Sequence, residues 1–369
     1  MTAADGVLLV ILGGMIAYTL LGGADFGGGV WDLLARGAHR HRQRELVAAT
    51  IGPVWEANHV WLIFVLIGLF SGFPAAFGEL ARGLPLPLAL ALLGIVLRGA
   101  AFVYRQYGAL DPARPIPGTA AWGRVFAVAS TITPVMLGVC GAAVATGRLT
   151  GHAPGGLAAP FRGVFPAVAG ALTVAVCAYL AAVYLCREAE VRRDPALTAD
   201  FRRRALAAAV VAGVLAAAGL PALAADAPLL WARLLSRAAP VLVFSALGGI
   251  ASIVALWRWR FVAARVGAAV AVVSVLGGWS LAQYPDLIPG VLTVRAAAAP
   301  PQTLPVTLAV LLAGFAVTLP SLWLLLRVFG KPTVSSSAEF AAWDVDRPPG
   351  TGVVDVGVGP MTAGQRWRH

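Results

Sequence analysis

Long apolar runs recur along the whole chain, and they constrain its fold more than any other feature. Each is about as long as the 20 residues that a helix needs to cross a bilayer core about 30 Å thick. Lipid offers backbone amides no hydrogen-bonding partner, so runs of this kind must form helices. The short alternating segments of a membrane β-barrel are missing from the sequence. The sequence therefore predicts an all-α, polytopic integral membrane protein with nine transmembrane helices in a bundle.

The predicted membrane domain occupies residues 1–330, and a polar tail follows it. The nine predicted spans are residues 7–33, 48–72, 84–104, 121–146, 164–186, 205–224, 238–256, 266–283 and 305–328. The first run has no basic segment before it and is too long for a signal peptide, so we interpret it as a membrane helix. Prolines in the loop 284–305 predict that it forms no helix. Residues 331–369 are rich in Ser, Pro and Gly and are predicted to be a disordered cytoplasmic tail.

The charge distribution predicts the orientation of the bundle. Only 12% of residues are charged, against about 25% in soluble domains. The net charge of +11 would suggest nucleic acid for a soluble protein, but the arginines cluster between apolar runs. With the N-terminus outside, the loops facing inward hold fifteen arginines and the opposite loops hold six. Basic loops stay in the cytoplasm, so we predict an outer N-terminus, a cytoplasmic C-terminus and no nucleic-acid partner.

Two acids lie well inside predicted spans, Asp25 in the first and Glu56 in the second, while Asp32 lies at the inner end of the first. A charge at the bilayer centre costs about 2.5–3.5 kcal/mol on insertion scales, so each acid is a functional candidate. At 1.5 Å per residue, both lie about 12 Å from the cytoplasmic surface. Asp32 lies two turns below Asp25 on nearly the same face. The pattern predicts a proton relay through Asp25, Glu56 and Asp32, although Glu56 could instead be a structural residue hydrogen-bonded to Asn58.

Other polar and aromatic residues surround these acids in the sequence. His59 shares a helix face with Glu56 and is more often a hydrogen-bonded core residue than a haem ligand. Trp55 and Trp61 either pack or face a cofactor, and Asn58 lies between them. Arg98 either snorkels to the interface or pairs with an acid of the bundle. No residue of this chain is predicted to be catalytic or to bind a metal, and the three cysteines are predicted to be packed side chains.

Four stretches resemble subunit II of the cytochrome bd-type quinol oxidases. They are GADFGGG at 23–29, GPVWEANHVWL at 52–62, LRGAAFVYR at 97–105 and YPDLIPG at 284–290. The second stretch is the most specific, and the order and spacing of all four agree with the family. The resemblance covers about residues 5–330. It implies that Asp25 and Glu56 match intramembrane acids of the family and that Arg98 matches a family arginine.

The resemblance implies a role in a larger complex of the bacterial cell membrane. A larger subunit I would carry haem b, haem d and the quinol site. The complex would oxidise a ubiquinol or menaquinol and reduce dioxygen to water, separating charge without pumping protons. This chain would support assembly and the access of protons and oxygen, and would not be catalytic alone. The resemblance is compatible with a small accessory subunit and with a quinone bound to this chain. Lipid is an expected partner.

Two departures from the family pattern affect the proton route. An acid common in the family is replaced by Gly22, and another by Val103. Water, Asp32 or a route through the partner would have to substitute. The alternative to the oxidase is a secondary transporter that uses the intramembrane carboxylates, since acids and interrupted helices also occur there. A purely structural membrane subunit is the remaining alternative.

Overall fold

The structure, a computed structural model, describes residues 2–51, 55–107 and 119–329. Its α-helices are α1 Ala3–Leu33, α2 Arg40–Ile51, α3 Trp55–Gly72, α4 Pro74–Gly83, α5 Pro85–Tyr107, α6 Thr119–Thr146, α7 Val164–Val191, α8 Pro195–Asp226, α9 Pro228–Arg237, α10 Ala239–Trp257, α11 Phe261–Gln283, α12 Val294–Ala297 and α13 Thr303–Phe329. A 3₁₀ helix spans Gly156–Phe161. The predicted tail, 331–369, lies outside the described residues.

The all-α, polytopic membrane architecture is confirmed. Within the described residues, eight helices are long and apolar enough to cross a membrane, and a ninth is counted if the bent pair α3–α4 is one span. The predicted second span, 48–72, is divided between α2 and α3, and residues 52–54 between them lie outside the described part. The count of nine spans and the orientation of the bundle therefore stay predictions.

Two short helices occupy stretches that lie between the predicted spans. α4 and α9 have ten residues each, and both begin with a proline, Pro74 and Pro228, at a position where the missing N–H costs no hydrogen bond. α4 is turned by 117° from the last part of α3, so it does not prolong the path of α3. Ten residues are too few to cross a bilayer, which is why the apolar runs did not reveal these helices.

The segment 284–305 also differs from the prediction. Strands Asp286–Ile288 and Leu292–Thr293 pair antiparallel, and helix α12 follows them. The Thr293 hydroxyl accepts a hydrogen bond from the Ala296 N–H at 3.3 Å and caps this helix. The prediction that the segment forms no helix is wrong for these four residues, because α12 lies wholly between Pro289 and Pro300 and neither proline interrupts it.

Helix α1 lies at the centre of the packing around the predicted acids. It contacts α3, α6, α7 and α13, and α5 packs on α6 beside it. A Cβ at Gly27 would lie 1.9 Å from the carbonyl oxygen of Cys177 on α7, and one at Gly29 would lie 2.2 Å from Cβ of Ser130 on α6. Only glycine allows these approaches. At these two positions the glycine run is therefore a packing surface of α1.

Polar contacts join α2 to α8 at the arginine-rich end of the bundle, which we define by the loops 34–39, 192–194 and 258–260. Asp200 accepts a hydrogen bond from Gln43 at 3.2 Å and lies 3.0 Å from the ring Nδ1 of His39. Arg42 forms an ion pair with Asp194, whose carboxylate also accepts from the Leu197 N–H at 3.0 Å and caps α8. These contacts fix the short helix α2 beneath the acids of α1.

Asp194→Ala is expected to lower the stability of the assembled protein by about 1 kcal/mol, because a helix cap is lost. Burial acts to raise the pKa of Asp194, but the Leu197 N–H and the Arg42 guanidinium outweigh it and hold the pKa below the ordinary 3.8. A carboxylate with a lowered folded-state pKa stabilises above its unfolded pKa and loses that effect as pH falls through the folded pKa. Thermal unfolding between pH 7 and pH 3 measures both effects.

Asp194→Asn is the matched control, since an amide oxygen can still cap the helix. We expect this variant to stay close to the wild type at neutral pH and to lose the acid dependence contributed by this site. Equal unfolding temperatures for Asp194→Ala and the wild type would contradict the assigned cap.

Candidate functional site: a buried ion pair between α1 and α5

Asp25 on α1 and Arg98 on α5 form an ion pair inside the bundle. Arg98 Nη1 donates to Asp25 Oδ2 at 2.9 Å, and Arg98 Nη2 donates to Asp25 Oδ1. Arg98 is 1% exposed and Asp25 is 2% exposed. Of the two alternatives for Arg98, the structure confirms pairing with an acid and excludes snorkelling to the interface.

The rest of the Arg98 guanidinium is also bound. Arg98 Nε donates to the Ser130 hydroxyl on α6 at 2.9 Å. The guanidinium carbon lies 4.9 Å from the ring centroid of Phe26 and 5.2 Å from that of Phe126. Such contacts between a cation and an aromatic face are favourable, and more so away from water. A charge this deep is tolerated only with a good partner and satisfied hydrogen bonds, and Arg98 has both.

Asp32 lies nearer the arginine-rich end on the same helix. It is 4% exposed, and Arg44 Nε of α2 lies 3.9 Å from Asp32 Oδ1. Seven residues separate Asp25 from Asp32, which corresponds to about 10.5 Å along a helix. Glu56 belongs to α3, but its side chain lies outside the described part of the structure. Its predicted closeness to Asp25 therefore stays a prediction.

The neighbours of Glu56 join α3 to α1 and α5. Asn58 is 3% exposed and donates to the carbonyl oxygen of Leu21 on α1 at 3.3 Å. The half-buried Trp55 ring lies 5.1 Å from that of Phe102 on α5. Asn58 and Trp55 thus hold α3 against the two helices that carry the ion pair.

Trp61 serves packing. Its side chain is fully buried, and its ring lies 5.2 Å from that of Phe315 on α13 and 6.4 Å from that of Phe64. Its ring is thus packed between α3 and α13.

His59 lies between aromatic rings of α1 and α3. Its Nδ1 is 2.8 Å from the Trp55 carbonyl oxygen, and its ring centroid is 6.3 Å from those of Tyr18 and Phe26 and 6.0 Å from that of Trp55. The part of the chain that the structure describes contains no group of three or more His, Cys, Asp or Glu residues able to hold a metal ion. His59 itself is a half-buried, hydrogen-bonded residue beside three aromatic rings.

Chemically, the site holds two buried carboxylates on α1, and each of them lies close to a guanidinium group of another helix. Both carboxyl oxygens of Asp25 accept hydrogen bonds from Arg98, and each oxygen keeps a second lone pair. The ion pair and its hydrogen bond to Ser130 form a polar contact inside an apolar bundle, and this contact joins α1, α5 and α6. This arrangement suits a polar contact that orders the bundle.

Two members of the site were missed from the sequence. Ser130 receives the Arg98 Nε–H, and Arg44 faces Asp32. A serine in the apolar run 121–146 was a signal for a buried polar contact, but its partner depends on how α5 and α6 pack. In the sequence, Arg44 is one of several arginines in a basic loop, and nothing there indicates that it lies near Asp32.

Comparisons with known proteins agree with the resemblance. The sequence profile of the family described as cytochrome bd terminal oxidase subunit II matches residues 5–329. The chain is 32% identical over 133 residues to the cytochrome bd ubiquinol oxidase subunit 2 of Bacillus subtilis (strain 168), which covers 36% of this chain and 37% of the relative. Across the curated relatives that it matches, the chain spans 25–37% of their own lengths.

A solved structure has the same fold. The bd oxidase from Geobacillus thermodenitrificans contains a chain that matches with a TM-score of 0.72 and 20% sequence identity, covering 90% of this chain and all of that one. At this identity the likeness concerns the fold. The helical membrane architecture and bacterial relatives identify a multi-pass bacterial membrane protein. Since the family profile spans nearly the whole described bundle, the chain belongs to the cytochrome bd terminal oxidase subunit II family.

Proposed function

We propose that this chain is the second subunit of a quinol oxidase that reduces dioxygen to water. Its partner would be a larger subunit I that carries the quinol site. The family assignment supports this role and argues against the alternative of a secondary transporter. Within the chain, the single observation that carries the proposal is the fully buried ion pair of Asp25 and Arg98, because a membrane bundle holds such groups at considerable cost.

The proposed task of the chain is to deliver protons from the cytoplasmic side. Asp32 and Asp25 are buried on α1 at a spacing of two turns, each close to an arginine of another helix. Glu56 follows on α3 as the third carboxyl of the relay. Quinol protons would leave on the outer side, so charge would be separated without a pump. Exchange at Asp25 would use the second lone pair of a carboxyl oxygen that is bonded to Arg98.

Haem b and haem d would be held by the partner. When bound, these haems supply the electron transfer and the binding of oxygen. On this chain, no haem is proposed at His59, whose imidazole lies among the rings of three aromatic residues. The side chains described around it thus fit a packed core better than a haem. Neither a bound quinone nor a small accessory subunit is needed for the proposed proton delivery.

Purification through a tag on this chain tests the partnership. We expect a larger polypeptide to copurify and the visible spectrum of the complex to contain bands of haem b and haem d. The chain purified after expression without the partner is the control and is expected to lack those bands. A stable solitary protein that moves a solute across vesicle membranes would contradict the oxidase proposal.

A further inference from the structure

Tyr18 continues the polar series on the buried side of α1. Asp32, Asp25 and Tyr18 follow one another at intervals of seven residues, and all three are buried. Seven residues are close to two helical turns, so the three side chains share one face. The Tyr18 ring lies over the backbone of Gly22, where an added Cβ would be 3.0 Å from Tyr18 Cε2. The space that a side chain at Gly22 would need is therefore occupied by Tyr18.

The Tyr18 hydroxyl is a buried polar atom whose hydrogen bond is missing. Tyr18 is 8% exposed, and its hydroxyl has no hydrogen-bond partner in the described part of the protein. Buried phenol groups of this kind normally find a partner, so the vacant bonding capacity points to a ligand.

His59 has a matching unpaired atom across the helix interface. Its Nδ1 lies 2.8 Å from the Trp55 carbonyl oxygen, which only accepts, so Nδ1 carries the proton and Nε2 of the neutral ring is an acceptor. Nε2 is buried and has no partner among the described residues. A phenol can donate and an unprotonated imidazole nitrogen can accept, yet the two are not bonded directly.

The rings of Tyr18, His59 and Phe26 pack against one another, so the side chains that carry the two unpaired atoms are neighbours. Their centroids lie 6.3 Å apart for Tyr18 and His59, 6.3 Å for His59 and Phe26, and 6.4 Å for Tyr18 and Phe26. The Arg98 guanidinium covers Phe26 at 4.9 Å. The side chains of Tyr18 and His59 are therefore joined to the Asp25–Arg98 pair through the ring of Phe26.

We propose that Tyr18 and His59 bind a water molecule that accepts from the Tyr18 hydroxyl and donates to His59 Nε2. This inference rests on the proposed function. The water extends the proposed proton route from Asp25 in the direction opposite to Asp32. A bound water satisfies both atoms, as buried waters do at polar sites inside proteins. Gly22 replaces an acid that is common in the family. The Tyr18 hydroxyl thereby supplies a proton-transferring group on the face of α1 where that acid is missing.

The test compares Tyr18→Phe with Tyr179→Phe in the complete oxidase complex. Both variants remove one buried hydroxyl; that of Tyr179 bonds to Ser252 between α7 and α10, away from the acids. We expect Tyr18→Phe to slow quinol oxidation about tenfold, a change of about 1.4 kcal/mol in the barrier. Its haem content should be normal and its solvent deuterium isotope effect larger. Tyr179→Phe is expected to keep the wild-type rate and isotope effect.

A second pair of variants tests the acceptor. His59→Gln keeps a side-chain oxygen able to accept from water and is expected to retain most of the rate, whereas His59→Leu is expected to behave like Tyr18→Phe. An experimental map of the complex should contain a water within hydrogen-bond distance of both the Tyr18 hydroxyl and His59 Nε2. Absence of that water from a map that resolves other buried waters, or a wild-type rate for Tyr18→Phe, overturns the proposal.

Asp25→Asn separates this inference from the proposed function. If Asp25→Asn is slow while Tyr18→Phe has the wild-type rate, the inference fails and the relay through the acids stands. If neither Asp25→Asn nor Glu56→Gln slows oxygen reduction, the proposed relay itself fails, whatever water the map contains.

Discussion

Arg98→Met is expected to destabilise the assembled protein by about 3–5 kcal/mol, the usual cost of leaving one partner of a buried ion pair without the other. Methionine keeps much of the length of the side chain but removes every hydrogen bond that Arg98 makes to Asp25 and Ser130. The uncompensated carboxylate then lies at 2% exposure between α1 and α5. Thermal unfolding of the purified complex in detergent measures the loss, together with the yield of complex that retains haem.

The double variant Asp25→Leu with Arg98→Met is the matched control, because it removes both charges. Replacing both members of a buried pair by apolar groups is often neutral for stability, so this variant is expected to regain most of the unfolding temperature. It is expected to stay slow in oxygen reduction, since the carboxyl of Asp25 is gone. A single Arg98→Met variant as stable as the wild type would contradict the role of the pair in holding the bundle.

Glu56→Gln is expected to lower the rate of oxygen reduction about a hundredfold, at the low end of the effect of removing a proton-transfer group. Glutamine keeps the size of the side chain but cannot release and rebind a proton in the same way. The haem content and unfolding temperature are expected to match the wild type. Oxygen consumption with excess quinol, normalised to haem, gives the rate.

Glu56→Leu distinguishes chemistry from architecture. If Glu56 is only a structural residue, the leucine variant should lose assembled complex while the glutamine variant keeps full activity. If Glu56 carries protons, both variants should be slow, and the glutamine variant should assemble normally. Full activity of Glu56→Gln would refute the relay role of this residue.

The sequence predicted the features that depend on local composition. Apolar runs placed the membrane helices, although α8 begins at Pro195, ten residues before its predicted span. Glycine favours close packing between membrane helices, and Gly27 approaches Cys177 in this way. These predictions needed only the length and chemistry of single segments.

Pairings between helices could not be predicted in the same way. Whether Arg98 snorkels or pairs depends on the position of α1 beside α5, which no single span determines. Ser130 became part of the site only through the packing of α6 on α5. Tyr18 looks like any membrane aromatic residue until its buried hydroxyl is found beside His59 without a partner.

The most direct test of the account is the proton uptake that accompanies oxygen reduction in the reduced complex, followed with a pH-sensitive dye after oxygen is admitted. We predict that Glu56→Gln and Asp25→Asn bind oxygen at the wild-type rate but take up protons much more slowly. Proton uptake at the wild-type rate in both variants would contradict proton delivery through this chain.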